Sequence, residues 1–190
     1  MLRLFTALEI PNDIKFELEM MKGGVLGARW IERDNHHLTL RFIGDVEENQ
    51  ARDLAEALDA ISVPGFVTRL KGHGAFGGAK PHALYVNVEM TPEMKRLQAA
   101  HERVCRQVGL VGETRKFTPH VTIARLRRAD PGDVQRYIAA HNLFESRPFE
   151  VERFVLYAAR PARGGGPYRI AADYPLVGRY AELLRAAGGR

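Results

Sequence analysis

His37-Leu38-Thr39-Leu40 and His120-Val121-Thr122-Ile123 write one pattern twice, a histidine and a threonine two apart with an apolar residue between. The copies stand 83 residues apart, 37 to 120. The same offset pairs Phe66 with Phe149 at the head of a second strand-like run, and Tyr85 with Tyr168 inside a third. One such match means little. Several in register mark an internal repeat, and a repeat decides the fold. The chain reads as a duplicated strand–helix–strand–strand unit.

The rest of the pattern extends outward from these anchors. Residues 2–10 alternate as a strand, and Pro11-Asn12-Asp13 opens a helix to about residue 22, stopped by Gly23-Gly24. The motif strands cover residues 37–43 and 118–126, the first closed by Gly44-Asp45. Ala51, Leu54, Ala55, Leu58 and Ile61 recur at helical spacing within 47–61, and 131–141 is the matching helix. Strands at 66–70 and 83–89 are answered by strands at 149–158 and 168–172. Between the halves Thr91 caps a helix with Pro92 at its first position and Met94, Leu97, Val104 and Val108 along one face. A short helix is expected over 178–187. The Gly-rich stretches 72–81 and 160–167 read as loops at equivalent places. Strands and helices without strict βαβ alternation predict an α+β fold. With no long linker, residues 1–190 are expected to form a single domain of two repeats, around His37 and His120, that pack together.

Composition narrows the class. Of 190 residues 45% are apolar and 27% charged, the balance of an ordinary globular protein and not of a disordered one. No apolar run approaches the ~18–20 residues of a membrane span. The first residues lack the pattern of a signal peptide, so the expected location is the cytoplasm. The one cysteine, Cys105, excludes an internal disulfide and a cysteine-rich zinc site, and its helical setting suits a buried thiol. A net charge of +5 suits a polyanionic partner.

Side chains two apart in a strand share a face. His37, Thr39 and Arg41 are therefore expected to point one way, and Leu38, Leu40 and Phe42 into an apolar layer. His120 and Thr122 likewise share a face, which strict alternation denies to Arg125. A pseudo-two-fold brings both His–Thr faces into one groove. Near neutral pH one imidazole can serve as base while its twin is a protonated acid. Threonine hydroxyls and an arginine can cradle the developing charge of a phosphate. One His-x-Thr alone is unremarkable; two at matched places of a repeat are not.

On these residues the chain resembles the 2H phosphoesterase superfamily, in its bacterial and archaeal branch of RNA 2′,3′-cyclic phosphodiesterases, also called 2′-5′ RNA ligases (LigT/ThpR-like). The likeness is carried by Arg3-Leu4-Phe5-Thr6-Ala7-Leu8, Ala28-Arg29-Trp30, His37-Leu38-Thr39-Leu40-Arg41-Phe42-Ile43-Gly44, Gly74-Ala75-Phe76, Phe117-Thr118-Pro119-His120-Val121-Thr122-Ile123-Ala124-Arg125 and Phe154-Val155-Leu156-Tyr157. It runs from Met1 to about Pro175. The resemblance implies a bilobal duplicated fold, two pseudo-symmetric lobes whose antiparallel sheets line a central cleft, with helices outside. It implies hydrolysis of a 2′,3′-cyclic phosphate at an RNA end to a 2′-phosphate, with no metal and no cofactor. His37 and His120 match the catalytic histidines, Thr39 and Thr122 their phosphate-binding partners, and Arg125 the arginine after the second motif. His120 is taken as activating water and His37 as protonating the departing 3′-oxygen, an order that the sequence itself leaves open.

Other residues carry weaker expectations. Arg41, Phe76 and Tyr168 are candidates for RNA contact, and Trp30 and Tyr85 for base stacking. His36 is expected at a rim, His73 and His82 beside a loop that meets substrate or solvent, and His101 and His141 in solvent. Arg115, Lys116, Arg127 and Arg128 flank the second motif and are expected either to track an RNA backbone or to form a solvated basic face. Gly164-Gly165-Gly166, with Arg160, Arg163 and Arg169 around it, lacks the Lys-Ser/Thr of a phosphate-binding Walker loop. The expected partner is RNA with a 2′,3′-cyclic phosphate end, tRNA fragments among the candidates, and the expected state is a monomer. Three alternatives to hydrolysis stand: joining that end to a 5′-hydroxyl as a 2′-5′ link, non-catalytic binding of RNA ends, and action on small cyclic nucleotides.

Overall fold

The computed structural model describes residues 1–159 and 168–178. The expected loop at 160–167, and all of the expected C-terminal helix but Gly178, lie outside the described residues. Ten strands and four helices are described there: β1 Leu2–Glu9, α1 Asn12–Met20, β2 Ala28–Trp30, a 3₁₀ turn Arg33–Asn35, β3 His37–Val46, α2 Glu48–Asp59, β4 Phe66–Thr68, β5 Leu70–Phe76, β6 Ala83–Val88, α3 Pro92–Gln107, β7 His120–Leu126, α4 Pro131–His141, β8 Phe149–Val151, β9 Arg153–Ala159 and β10 Tyr168–Pro175.

The helix starts follow from their caps. Thr91 accepts a hydrogen bond from the Met94 amide, and Pro92 occupies the first turn of α3, where a missing N–H costs nothing. Asp130 does the same for Gly132 and Asp133 ahead of Pro131 in α4. The buried faces are Ala51, Leu54 and Leu58 in α2, and Met94, Leu97, Ala100, Val104 and Cys105 in α3. Burial pushes the Cys105 thiol up to about 11, so it stays protonated and inert.

The strands form an antiparallel sheet in the order β10-β9-β1-β3-β7-β6-β5, with β2 on β7, and a separate β4-β8 pair. The two motif strands meet at one pair, Leu38 opposite Val121, and this junction divides the sheet into two lobes. Leu38 and Val121 are themselves 83 residues apart. So are Val67 and Glu150, the central pair of β4 and β8. Each pair joins a residue to its own counterpart, so the pseudo-two-fold axis runs between their members.

That axis also corrects the repeat. Strand β6 lies inside β5, next to β7, whereas β10 lies outside β9. Tyr85 and Tyr168 therefore keep the offset without being equivalent. The counterpart of β6 is β1, and the repeat reads β1-α1-β3-α2-β4-β5, then β6-α3-β7-α4-β8-β9. Because α1 has 9 residues and α3 has 16, register is lost upstream of the motifs. The repeats also exchange parts. Strand β9 of the second completes the His37 lobe, and β5 of the first completes the His120 lobe. Helix α3 packs on β3, and the Tyr137 hydroxyl of α4 bonds to the Met21 carbonyl after α1.

Several expected boundaries move: the second motif strand starts at His120, the expected strand at 149–158 divides into β8 and β9 in separate sheets, and β10 runs on to Pro175. Strand β3 runs on to Val46 through a bulge, with Gly44 at φ +87°. Residues 70–76, half assigned to a loop, form β5, and only the stretch after Phe76 turns. The helices and the inner strand faces share one large core. Phe5, Ala7, Val155 and Tyr157 form a small second cluster on the opposite, cleft-facing side of the His37 lobe.

Candidate active site

The Leu38–Val121 pair turns both of its members into the core and the residues flanking them to the other face. That antiparallel register sets His37 level with Thr122 and Thr39 level with His120. Beyond the threonines both strands bulge. Thr39 pairs with Ala7 but Arg41 with Thr6, leaving Leu40 as the extra residue. Thr122 pairs with Tyr85 but Ala124 with Leu84, leaving Ile123. The two bulges are again 83 residues apart. Each inverts the side-chain phase beyond it. Ile123 and Ala124 are consecutively buried and Arg125 returns, exposed, to the face of His120 and Thr122. Strict alternation had put Arg125 out of phase; the bulge is the reason it is in phase.

The histidines are anchored alike. The carbonyl of Asn35 lies 2.7 Å from His37 Nδ1, and that of Thr118 lies 2.7 Å from His120 Nδ1. A carbonyl only accepts, so each Nδ1 carries the proton and each Nε2 is left for chemistry. Burial lowers both rings' proton affinity. It pushes His37 down to about 4, aided by the charges of Lys15, His120 and Arg125 and opposed by the Asn35 bond. His120 is also lowered, by burial first and with help from Arg125, against the Thr118 bond.

Aromatic rings wall each histidine. Phe5 and Tyr168 stand 4.9 and 5.2 Å from His37, with Tyr157 at 5.8 Å. Phe76 and Tyr85 stand 4.8 and 5.3 Å from His120. Gly74 makes room for the second set, since a Cβ there would fall 2.6 Å from the Tyr85 ring. The structure thus brings His37, Thr39, His120, Thr122, Arg125, Phe76 and Tyr168 to one face. Tyr85, a stacking candidate, is there too, and the structure adds Phe5 and Tyr157 from the stretches that carry the resemblance.

A sequence model described as the 2′-5′ RNA ligase superfamily matches residues 13–161. The chain belongs to that superfamily. Its relatives include an RNA 2′,3′-cyclic phosphodiesterase of Aquifex aeolicus, 29% identical over 90% of this chain and 91% of the relative. The enzyme of that name from Escherichia coli is 26% identical, over 87% and 92%. Among solved structures, Escherichia coli LigT complexed with 3′-AMP aligns with a TM-score of 0.75 at 24% identity, covering 93% of this chain and 98% of the other. A Thermus thermophilus protein aligns with a TM-score of 0.77 at 22% identity, over 93% and 99%. These likenesses establish the α+β bilobal fold of the superfamily for this chain.

Several expected placements within this superfamily fold are corrected. Arg41 does not face the cleft. The Leu40 bulge that matches Ile123 turns it inward, where its Nε meets Glu102 of α3 at 2.7 Å and its guanidinium bonds to the Phe42 and Val111 carbonyls. Trp30, opposite the buried Ala124, packs on Tyr137 at 5.5 Å instead of offering a stacking face. His36 is buried and not at a rim. His73 is buried against Tyr137, His141 and Phe144, behind the sheet. His101 is fully buried, edge-on to Phe154, and its Nδ1 meets the Leu97 carbonyl at 2.8 Å. His141 stacks on Tyr137 at 4.2 Å instead of standing free in solvent. His82 is exposed beside Phe76. Gly164-Gly165-Gly166, Arg160 and Arg163 lie outside the described residues. Among the described residues no three His, Cys, Asp or Glu side chains converge on a metal-sized site, and no helix is long and apolar enough to cross a membrane.

Proposed function

We propose that the cleft hydrolyses the 2′,3′-cyclic phosphate at an RNA end to a 2′-phosphomonoester, by two-histidine acid–base catalysis without a metal. The observation that carries this reading is the matched anchoring of His37 and His120, each with Nδ1 tied to a carbonyl two residues back. Two Nε2 atoms of one cleft are thereby presented for proton transfer. The names of the relatives support the substrate, and the basic charge suits RNA.

In the reaction one Nε2 takes a proton from water as its oxygen bonds to phosphorus. The P–O3′ bond breaks, and the other, protonated Nε2 supplies the proton to O3′. The Thr39 and Thr122 hydroxyls and Arg125 hold the non-bridging oxygens as their charge grows. Burial lowers the proton affinity of both rings, so either can serve as the base. A bound phosphodiester sets a negative charge beside both rings and raises both values. The same phosphorus can accept a 5′-hydroxyl in place of water, the 2′-5′ joining that the superfamily description carries.

The test is turnover of a short RNA ending in a 2′,3′-cyclic phosphate, with EDTA present. Wild type should yield a 2′-phosphate, and His37→Ala and His120→Ala should each lose at least ~10²-fold. Loss of activity in EDTA refutes metal independence. Binding without turnover moves the chain to the RNA-end binders.

A further inference from the structure

Strand β2 is only three residues long, yet its place is tightly fixed. Gly27 just before it has φ +79°, and a Cβ there would fall 2.4 Å from the Arg127 carbonyl oxygen, so only glycine lets the strand dock. The Arg127 amide donates to the Gly27 carbonyl at 3.0 Å, and the Ile31 amide to the Ile123 carbonyl at 2.8 Å. Between these fastenings Arg29 lies directly opposite Arg125. Residues directly opposite share a face, so Arg29 is on the cleft side with Arg125, and both are exposed. The Tyr168 phenol, beside His37, feels the charge of both guanidiniums.

Two guanidiniums on one exposed face concentrate positive charge there. Here the backbone is fixed in a way that sets two arginines face to face. A phosphate oxygen between or along them can accept hydrogen bonds from both. The cyclic phosphate, with a single negative charge, already meets two threonines, Arg125 and one protonated histidine. A second guanidinium exceeds what that group needs and suits another phosphate of the same strand.

We propose that Arg29, held opposite Arg125 by the β2–β7 register, binds the phosphodiester one nucleotide upstream of the cyclic end. The proposal rests on the hydrolytic reading above and deepens it: the substrate is an RNA of at least two nucleotides, preferred over a cyclic mononucleotide. Arg29 acts through the electrostatics of substrate binding, since backbone phosphates are held by Lys and Arg and the holding weakens with salt.

The experiment compares kcat/KM for a dinucleotide ending in a 2′,3′-cyclic phosphate with that for the cyclic mononucleotide, in wild type, Arg29→Gln and Arg29→Lys. Wild type should prefer the dinucleotide. Arg29→Gln should cut that preference about tenfold, and Arg29→Lys should keep most of it. In a separate titration with a short RNA ending in a 2′-phosphate, Arg29→Gln should reduce the salt slope of binding by about one. Its Tm, measured alongside, separates a loss of phosphate binding from a loss of fold. An unchanged preference, an equal loss on both substrates, or a wild type without preference overturns the proposal. If wild type opens neither substrate while Arg29→Gln still weakens RNA binding, the hydrolytic reading fails and the Arg29 site stands.

Discussion

Leu40 and Ile123 occupy the same place in the two motif strands, and each is the extra residue of a β-bulge. The residues that follow have opposite fates. After Ile123 comes buried Ala124 and then Arg125 in the cleft; after Leu40 comes buried Arg41 and then exposed Phe42. The two arginines should therefore fail in different ways. Arg125→Ala should lose about 10²-fold in kcat/KM with little change in stability, since it removes charge stabilisation at the phosphate. Arg41→Met should leave the half-buried Glu102 with only Arg106 and the Glu113 amide, and cost about 1–3 kcal/mol in chemical denaturation. Equal stabilities for the two variants would count against the assignment.

The two histidines should divide the labour. A substrate with sulfur in place of the bridging 3′-oxygen has a leaving group that departs without a proton. It should restore turnover to the alanine variant of the acid and not to that of the base. One variant rescued identifies the acid; both or neither rescued excludes one acid and one base acting in a single step.

Acidity follows from burial. The kcat/KM profile rises as the base loses its proton and falls as the acid loses its own, with macroscopic values that belong to the pair. Both imidazoles sit below the ordinary value near ~6.5, His37 at about 4. Both limbs therefore belong on the acid side, and kcat/KM should decline through neutral pH. The kcat profile, taken with the anionic substrate bound, should lie at higher pH. A kcat/KM maximum above neutrality contradicts the burial of these rings.

Gly74 and Tyr85 offer a steric test. Gly74→Ala places a methyl against the Tyr85 ring and should cost about 1–3 kcal/mol, with lower activity as Tyr85 and Phe76 shift around His120. Adding Tyr85→Ala should recover much of the lost stability, because the clash needs both groups. Thermal melts of the two singles and the double measure the coupling.

Much of this was legible because a two-residue spacing is also the period of a strand. His37, Thr39, His120 and Thr122 declare their common face directly. The bulges were not legible, because Leu40 and Ile123 are ordinary strand residues whose extra place is set only by β1 and β6. Strand β5 was half hidden because glycines suggest a loop, while Gly74 answers to a ring eleven residues away. His101 shows the opposite failure. It falls on the Met94–Leu97–Val104 face of α3, so the spacing announced its burial and its polarity masked it.

The exchange of β5 and β9 makes the duplication indivisible. A polypeptide holding one repeat would own a single cleft histidine and half of each lobe, and could complete the architecture only by entwining with a second copy. Joining the copies in one chain makes that association concentration-independent and frees each half to differ. Arg125 and Phe42, at matching places on the two strands, show that freedom: one side of the cleft is cationic there and the other apolar.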